Sequence, residues 1–128
     1  METPDGVSEI MEGLETEPLS SIRVKQKKDG NMVFENNWRY EGSLDSNNLP
    51  NGYGLLHMIN GVTYRGEFLG GNFNGEGELI RFGKVIFKGN WKENKKEGKG
   101  YEISKDGNIY NGNYKDGKKH GYGNLRSF

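Results

Sequence analysis

His57 and His120 are the side chains that by type titrate near neutrality in this 128-residue chain, and no cysteine accompanies them. Without cysteine there is neither a thiolate nucleophile, nor a thiolate metal ligand, nor a disulfide framework. The serines are scattered through segments that read as loops, so no nucleophile stands with a base and an orienting group. Two histidines far apart in sequence do not suggest a metal site either. Gly112-Asn113-Tyr114-Lys115-Asp116-Gly117-Lys118 imitates the opening of a phosphate-binding loop. It fails chemically, because Lys119 stands where Ser or Thr would hold magnesium and no strand enters a helix there. The repeated Gly-x-Gly pairs lack the third glycine and following helix of a dinucleotide site. No catalytic residue, metal or cofactor is expected, and the chain as it stands reads as non-enzymatic.

Two other sets of residues recur with a period. Lys92, Lys95 and Lys96 return 23 residues later as Lys115, Lys118 and Lys119. If equivalent loop positions stack along one edge, these six lysines form a basic ridge that an anionic phospholipid surface or an acidic partner would meet. Glu93, Glu97 and Asp116 lie in the same stretches, so six positive charges against three negative leave +3. The plainer reading is a solvated loop edge. The second set is aromatic: Tyr40, Tyr64, Phe87 and Tyr110, with Phe68, Trp91 and Tyr114 four residues after the last three of these. These seven rings are either a core packed over glycine or an aromatic groove that receives a partner helix or peptide. Packing over glycine is favoured, given how repeat arrays build a continuous core. Their commitment to a repeat pattern, together with a net charge of zero, argues against nucleic-acid binding.

The elements that must position these residues follow from the spacing. Tyr64-Arg65-Gly66-Glu67-Phe68 and Gly75-Glu76-Gly77 are re-spelled as Phe87 to Trp91 with Gly98-Lys99-Gly100, and as Tyr110 to Tyr114 with Gly121-Tyr122-Gly123. Tyr40 to Leu44 with Gly52-Tyr53-Gly54 precedes them. A period in this range marks an array whose units bury surface against their neighbours. Aromatic, glycine and aromatic at i, i+2 and i+4 share one face of a strand. If residues 69–74 are a loop and the chain returns antiparallel, Phe68 faces Gly75, Gly66 faces Gly77, Tyr64 faces Leu79, and Phe87 faces Gly77. Each ring then lies across from a glycine, which an aromatic neighbour can cover. Asn60-Gly61 and Asp106-Gly107 signal short hairpins, and a differently shaped turn is expected at Phe82-Gly83.

The spelling resembles the MORN (membrane occupation and recognition nexus) repeat over about 40–128, in copies at about 40–63, 64–86, 87–109 and 110–128, the last incomplete. Lys119-His120-Gly121-Tyr122-Gly123 and Lys105-Asp106-Gly107 match it most fully. Leu44 stands for an aromatic, and Asn51, Asn74 and Glu97 stand for the motif histidine, so no shared histidine chemistry carries over. The resemblance implies an all-β, elongated, single-layer twisted antiparallel sheet of successive hairpins. It also implies a scaffold that tethers protein partners at membrane or cytoskeletal sites. Glu41 to Asp45 with Leu49-Pro50-Asn51-Gly52 also resembles the opening of the amino-terminal repeat region of a SET-family histone lysine methyltransferase. That likeness implies a regulatory part of a larger enzyme, and no SET-domain motif follows.

Composition agrees with one array and little else. There are 21 glycines and no alanine, and a two-layer aliphatic core is out of reach. Residues 1–20 carry six acids and no base, lack aromatics, and read as a disordered acidic tail, with a short helix over Ile10, Met11 and Leu14 as the alternative. Residues 21–38 read as a divergent capping hairpin, in which Phe34, Trp38 and Tyr40 compete for the aromatic column. Residues 84–128 hold eleven bases and five acids, so the end of the chain is basic. The last hairpin presents a bare edge strand, which invites self-association, a partner or continuation of the array. No signal peptide or apolar spanning run is visible, and a cytoplasmic setting is expected.

Overall fold

The computed structural model describes residues 10–11, 13–14 and 17–127. A 3-10 turn at Leu19–Ser21 precedes β1 (Val24–Lys28), β2 (Asn31–Phe34), β3 (Arg39–Leu44), β4 (Pro50–His57) and β5 (Val62–Leu69). There follow β6 (Asn72–Arg81), β7 (Lys84–Lys92), β8 (Lys95–Ile103), β9 (Ile109–Lys115) and β10 (Lys118–Arg126). All ten strands form one antiparallel sheet in chain order. Each repeat therefore contributes one hairpin, and the array grows by two strands at a time.

The hairpins are tighter than the spelling suggests. Leu69 pairs with Asn72, Lys92 with Lys95 and Lys115 with Lys118, leaving two-residue turns at Gly70-Gly71, Glu93-Asn94 and Asp116-Gly117. Both central residues have positive φ in each, for example 48° and 69° at Glu93 and Asn94, the pairing that matches the twist of adjacent strands. The expected loop over 69–74 is thus a turn plus three strand residues. Phe82-Gly83 is also a two-residue turn, with φ of 48° and 79°, while Asn60-Gly61 and Asp106-Gly107 sit in the wider connections 58–62 and 104–108.

Register supplies a second correction. Gly66 pairs with Gly77 and Tyr64 with Leu79 as expected, but Phe68 pairs with Phe73 rather than Gly75, and Phe87 pairs with Leu79 rather than Gly77. The cause is a bulge. Between the pairs Gly66–Gly77 and Phe68–Phe73 one strand advances two residues and the other four, and Gly75, in the longer arm, has φ of +98°. Gly52, Gly98 and Gly121 repeat this at φ of +85°, +84° and +70°. With the bulges in place, the second glycines align into a ladder: Gly42, Gly54, Gly66, Gly77, Gly89, Gly100, Gly112 and Gly123 pair in succession from β3 to β10.

Beside the ladder, on the same face, runs the row Tyr40, Leu56, Tyr64, Leu79, Phe87, Glu102, Tyr110 and Leu125. Tyr40 takes the column position for which Phe34 and Trp38 competed, pairing with Met32 on one side and Leu56 on the other. The buried cluster contains most of this row together with Val62, Phe68, Phe73, Trp91, Tyr114, Met32 and Phe34. It also contains Ile10, Leu14 and Leu19. The disordered reading of residues 1–20 falls partly outside the described residues. Of those described, Ile10, Met11, Gly13 and Leu14 are helical, Leu14 is buried, and Ser20 lies beside the Gly70-Gly71 turn.

Candidate functional site

The seven expected rings come together, as core. Tyr40, Tyr64, Phe68, Phe87, Trp91 and Tyr114 are buried, and Tyr110 is half-buried. They meet edge to face in a continuous chain, with centroids 5.2 Å apart for Tyr40–Phe68, 5.7 Å for Tyr64–Trp91 and 5.3 Å for Phe87–Tyr114. Phe73 joins them, stacked on Tyr64 at 3.7 Å. Each first ring of a repeat lies over the ladder: a Cβ at Gly54, Gly77 or Gly123 would collide with Tyr40, Tyr64 or Tyr110 respectively. Tyrosine hydroxyls then donate to the carbonyl three residues on, Tyr40 to Ser43 at 2.6 Å, Tyr64 to Glu67 at 2.7 Å and Tyr110 to Asn113 at 3.1 Å. Burial holds these phenols protonated: it pushes Tyr40 up to about 12 and raises Tyr64 and Tyr114 further. Packed to this degree, the rings leave no open groove between them.

The six lysines divide into two groups. Lys92, Lys95, Lys115 and Lys118 flank the two turns at the sheet margin, where Glu93, Glu97 and Asp116 are interspersed around a small hollow of about 260 Å³. Lys96 and Lys119 instead turn onto the aromatic face. Lys96 Nζ lies 4.5 Å from the Phe87 ring centre and Lys119 Nζ 4.8 Å from that of Tyr110. Both pair with Glu102, at 3.0 and 3.1 Å, and the Tyr114 hydroxyl donates to the same carboxylate at 3.1 Å. Glu102 occupies the row position that other repeats give to leucine. Burial alone would raise its pKa, but Lys96 and Lys119 outweigh that and hold it below the usual carboxylate range.

The motif-histidine position has a structural use. Asn51 Oδ1 accepts from Gly70 N at 3.0 Å, Asn74 Oδ1 from Glu93 N at 3.4 Å, and Glu97 Oε2 from Asp116 N at 3.1 Å. Each ties the turn of the next hairpin to the hairpin before it. Carbonyls add a second tie, Gly71 N to Pro50 O at 2.8 Å, Asn94 N to Phe73 O at 3.0 Å and Gly117 N to Lys96 O at 3.0 Å. Buried Asn94 completes its turn by accepting from Phe73 N at 2.7 Å.

One polar constellation was missed in the sequence. His57 lies between Thr63 Oγ1 and Glu41 Oε2, each 3.2 Å away, which copies the order of a nucleophile, base and acid. These three side chains follow from register, since His57 pairs with Thr63 and Arg39 on flanking strands. The arrangement lacks the rest of a hydrolytic site. Thr63 and His57 stand on an open sheet face whose backbone N–H groups serve the ladder, so no donor pair remains to stabilise an oxyanion. Among the described residues no group of three or more His, Cys, Asp or Glu is placed to hold a metal.

The opposite face of the sheet carries the open surface. A groove of about 560 Å³ runs across β4 to β9 over the backs of Gly77, Gly89 and Gly100. Tyr53 and Tyr101 wall its ends, and Arg65, Glu78, Lys88 and Lys99 line it between them. Tyr53 is 64% exposed. Arg65 is paired with Glu78 at 3.2 Å, while Lys88 and Lys99 form no ion pair among the described residues. The groove exists because bare glycine backbone forms its floor. The signal for it was the residue between or after the paired glycines, at Tyr53 and Tyr101, which points away from the core.

An open single layer of stacked hairpins, with one face sealed by rings and the other free, defines a repeat array built for surface rather than for an enclosed cavity. The family model for the MORN repeat matches residues 40–63, 64–81, 87–109 and 110–127, and the chain belongs to the MORN repeat family. No curated protein sequence matches the chain.

Proposed function

We propose that this chain is a non-enzymatic scaffold that docks a protein segment on its open face, in the cytoplasm or at a membrane-linked or cytoskeletal assembly. The observation that carries the reading is the groove between Tyr53 and Tyr101. Its glycine floor and two phenol rings offer apolar contact, and Lys88 and Lys99 offer charge to an acidic segment. The sequence suggested a partner on the aromatic face, but those rings are spent on the core, so the docking surface is assigned to the other side. An anionic-lipid adaptor has weaker support. With Lys96 and Lys119 held by Glu102, the margin keeps four lysines against Glu93, Glu97 and Asp116, a net of +1. A regulatory role beside a catalytic domain is compatible with the same surface and needs no chemistry from this chain.

The experiment compares capture of partners from cell extract by the parent and by a Tyr53→Lys, Tyr101→Glu variant. Both positions lie on the open face, so melting temperature should be unchanged. The reading predicts partners retained by the parent and lost by the variant. Identical partner sets from two equally stable proteins would refute it.

A further inference from the structure

The two edges of the sheet are built differently. β1 is five residues long and carries Lys25, Lys27 and Lys28, a short and charged strand of the kind that resists pairing. β10 is nine residues long, exposed throughout, and ends the ladder with Gly123.

Four devices that each earlier hairpin offers to the next are vacant on β10. The first is register: Leu56 faces Tyr64 and Gly52 faces Phe68, as Leu79 faces Phe87 and Gly75 faces Trp91. By the same rule Leu125 and Gly121 each await an aromatic residue, with a glycine between them opposite Gly123. The second is ring contact. Tyr40, Tyr64 and Phe87 are each met edge to face by a ring of the following repeat, whereas Tyr110 has Tyr114 of its own repeat and is half-exposed. The third is the turn acceptor. His120 stands where Asn51, Asn74 and Glu97 accept the N–H of the next turn, and a neutral imidazole nitrogen can do the same. The fourth is the Lys119 carbonyl, the counterpart of those of Pro50, Phe73 and Lys96.

We propose that the β10 edge is a strand-acceptor site for a hairpin of a partner protein whose first strand spells aromatic-x-Gly-x-aromatic and runs directly into a two-residue turn. The occupant follows from continuity with the interface already repeated three times within the chain: each vacancy is filled there by a residue of that spelling. Backbone pairing supplies affinity and the two rings supply selection. Leu125, 73% exposed, becomes the contact of the first ring, and Tyr110 that of the second. This surface is separate from the groove on the open face, so occupancy of one does not depend on the other.

The test uses the full chain and a synthetic peptide of residues 62–74, which contains Tyr64, Gly66, Phe68 and the Gly70-Gly71 turn. Saturable one-to-one binding by fluorescence anisotropy is expected, with slowed hydrogen exchange at the β10 amides. The Phe68→Ala peptide should bind about tenfold more weakly, the loss expected for one edge-to-face ring contact. A scrambled peptide should leave β10 exchange unchanged. Equal binding by the parent, Phe68→Ala and scrambled peptides overturns the proposal, as does protection at β1 in place of β10. If the chain alone sediments as a dimer with β10 already protected, the edge belongs to a second copy and the partner-hairpin assignment is wrong.

Discussion

The two glycines of each Gly-x-Gly pair answer different physical demands. The first, as in Gly75 or Gly98, takes a positive φ so that the strand can bulge. The second joins the ladder, where an added Cβ at Gly89 would meet Lys99 O at 2.6 Å, Gly100 Cα at 2.7 Å and Phe87 Cζ at 2.9 Å. Two of those three atoms are backbone and cannot swing aside. Gly89→Val should therefore destabilise by at least the 1–3 kcal/mol, roughly, of an overpacked core, whereas Asn90→Val on the open face should shift the melting temperature little. Calorimetry on the two variants separates them. At Glu102 the expected signature is pH. Its folded pKa is depressed, so its contribution is present above its unfolded pKa and is lost as pH falls through the folded value. Glu102→Gln should flatten the acid limb of a stability-versus-pH curve below about pH 4.5 and lower neutral stability by about 1 kcal/mol, the scale of one partly exposed charged contact. An unchanged acid limb would show that Lys96 and Lys119 do not hold this carboxylate.

At the scale of the hairpin, the period, the strand identity of each segment and the face shared by aromatic and glycine were all legible, because spacing of two and of about 23 residues survives in any register. Exact pairing was not. A bulge adds residues to one arm without changing the spelling, so Phe68 reads as facing Gly75 until backbone φ is known. The packed Ile10, Leu14 and Leu19 were hidden for another reason, since a short apolar segment has no period of its own and is placed by what it covers. Turn docking was equally silent in the sequence, yet it holds hairpin to hairpin. Asn94 is its clearest case, with the buried Phe73 N–H bonded to its side chain. Asn94→Gly keeps the positive φ easy and removes that acceptor, so it should cost about 1–3 kcal/mol for a buried donor left unpaired. Asp116→Gly, at a turn position whose side chain makes no such bond, should be near neutral in the same urea titration. Equal losses would assign the effect to turn flexibility instead of the tie.

Across the whole molecule, glycine makes the two faces unequal. Rings laid flat over the ladder seal one side of a single layer, and the same glycines leave the other side a shallow floor flanked by Tyr53 and Tyr101. The recognition surface was only partly legible because variable residues between the glycines carry it, and the repeat pattern draws attention to the invariant spelling on the sealed side. Tyrosines report on both sides at once. Tyr40 and Tyr64 are 0% exposed and Tyr114 is 4% exposed, while Tyr53 and Tyr122 on the open side are 64% and 92% exposed. Nitration of the native chain with tetranitromethane, followed residue by residue with mass spectrometry, should modify Tyr53 and Tyr122 early and leave Tyr40, Tyr64 and Tyr114 unmodified until the chain is unfolded. Modification of Tyr64 at the rate of Tyr53 in the native protein would contradict a one-sided core.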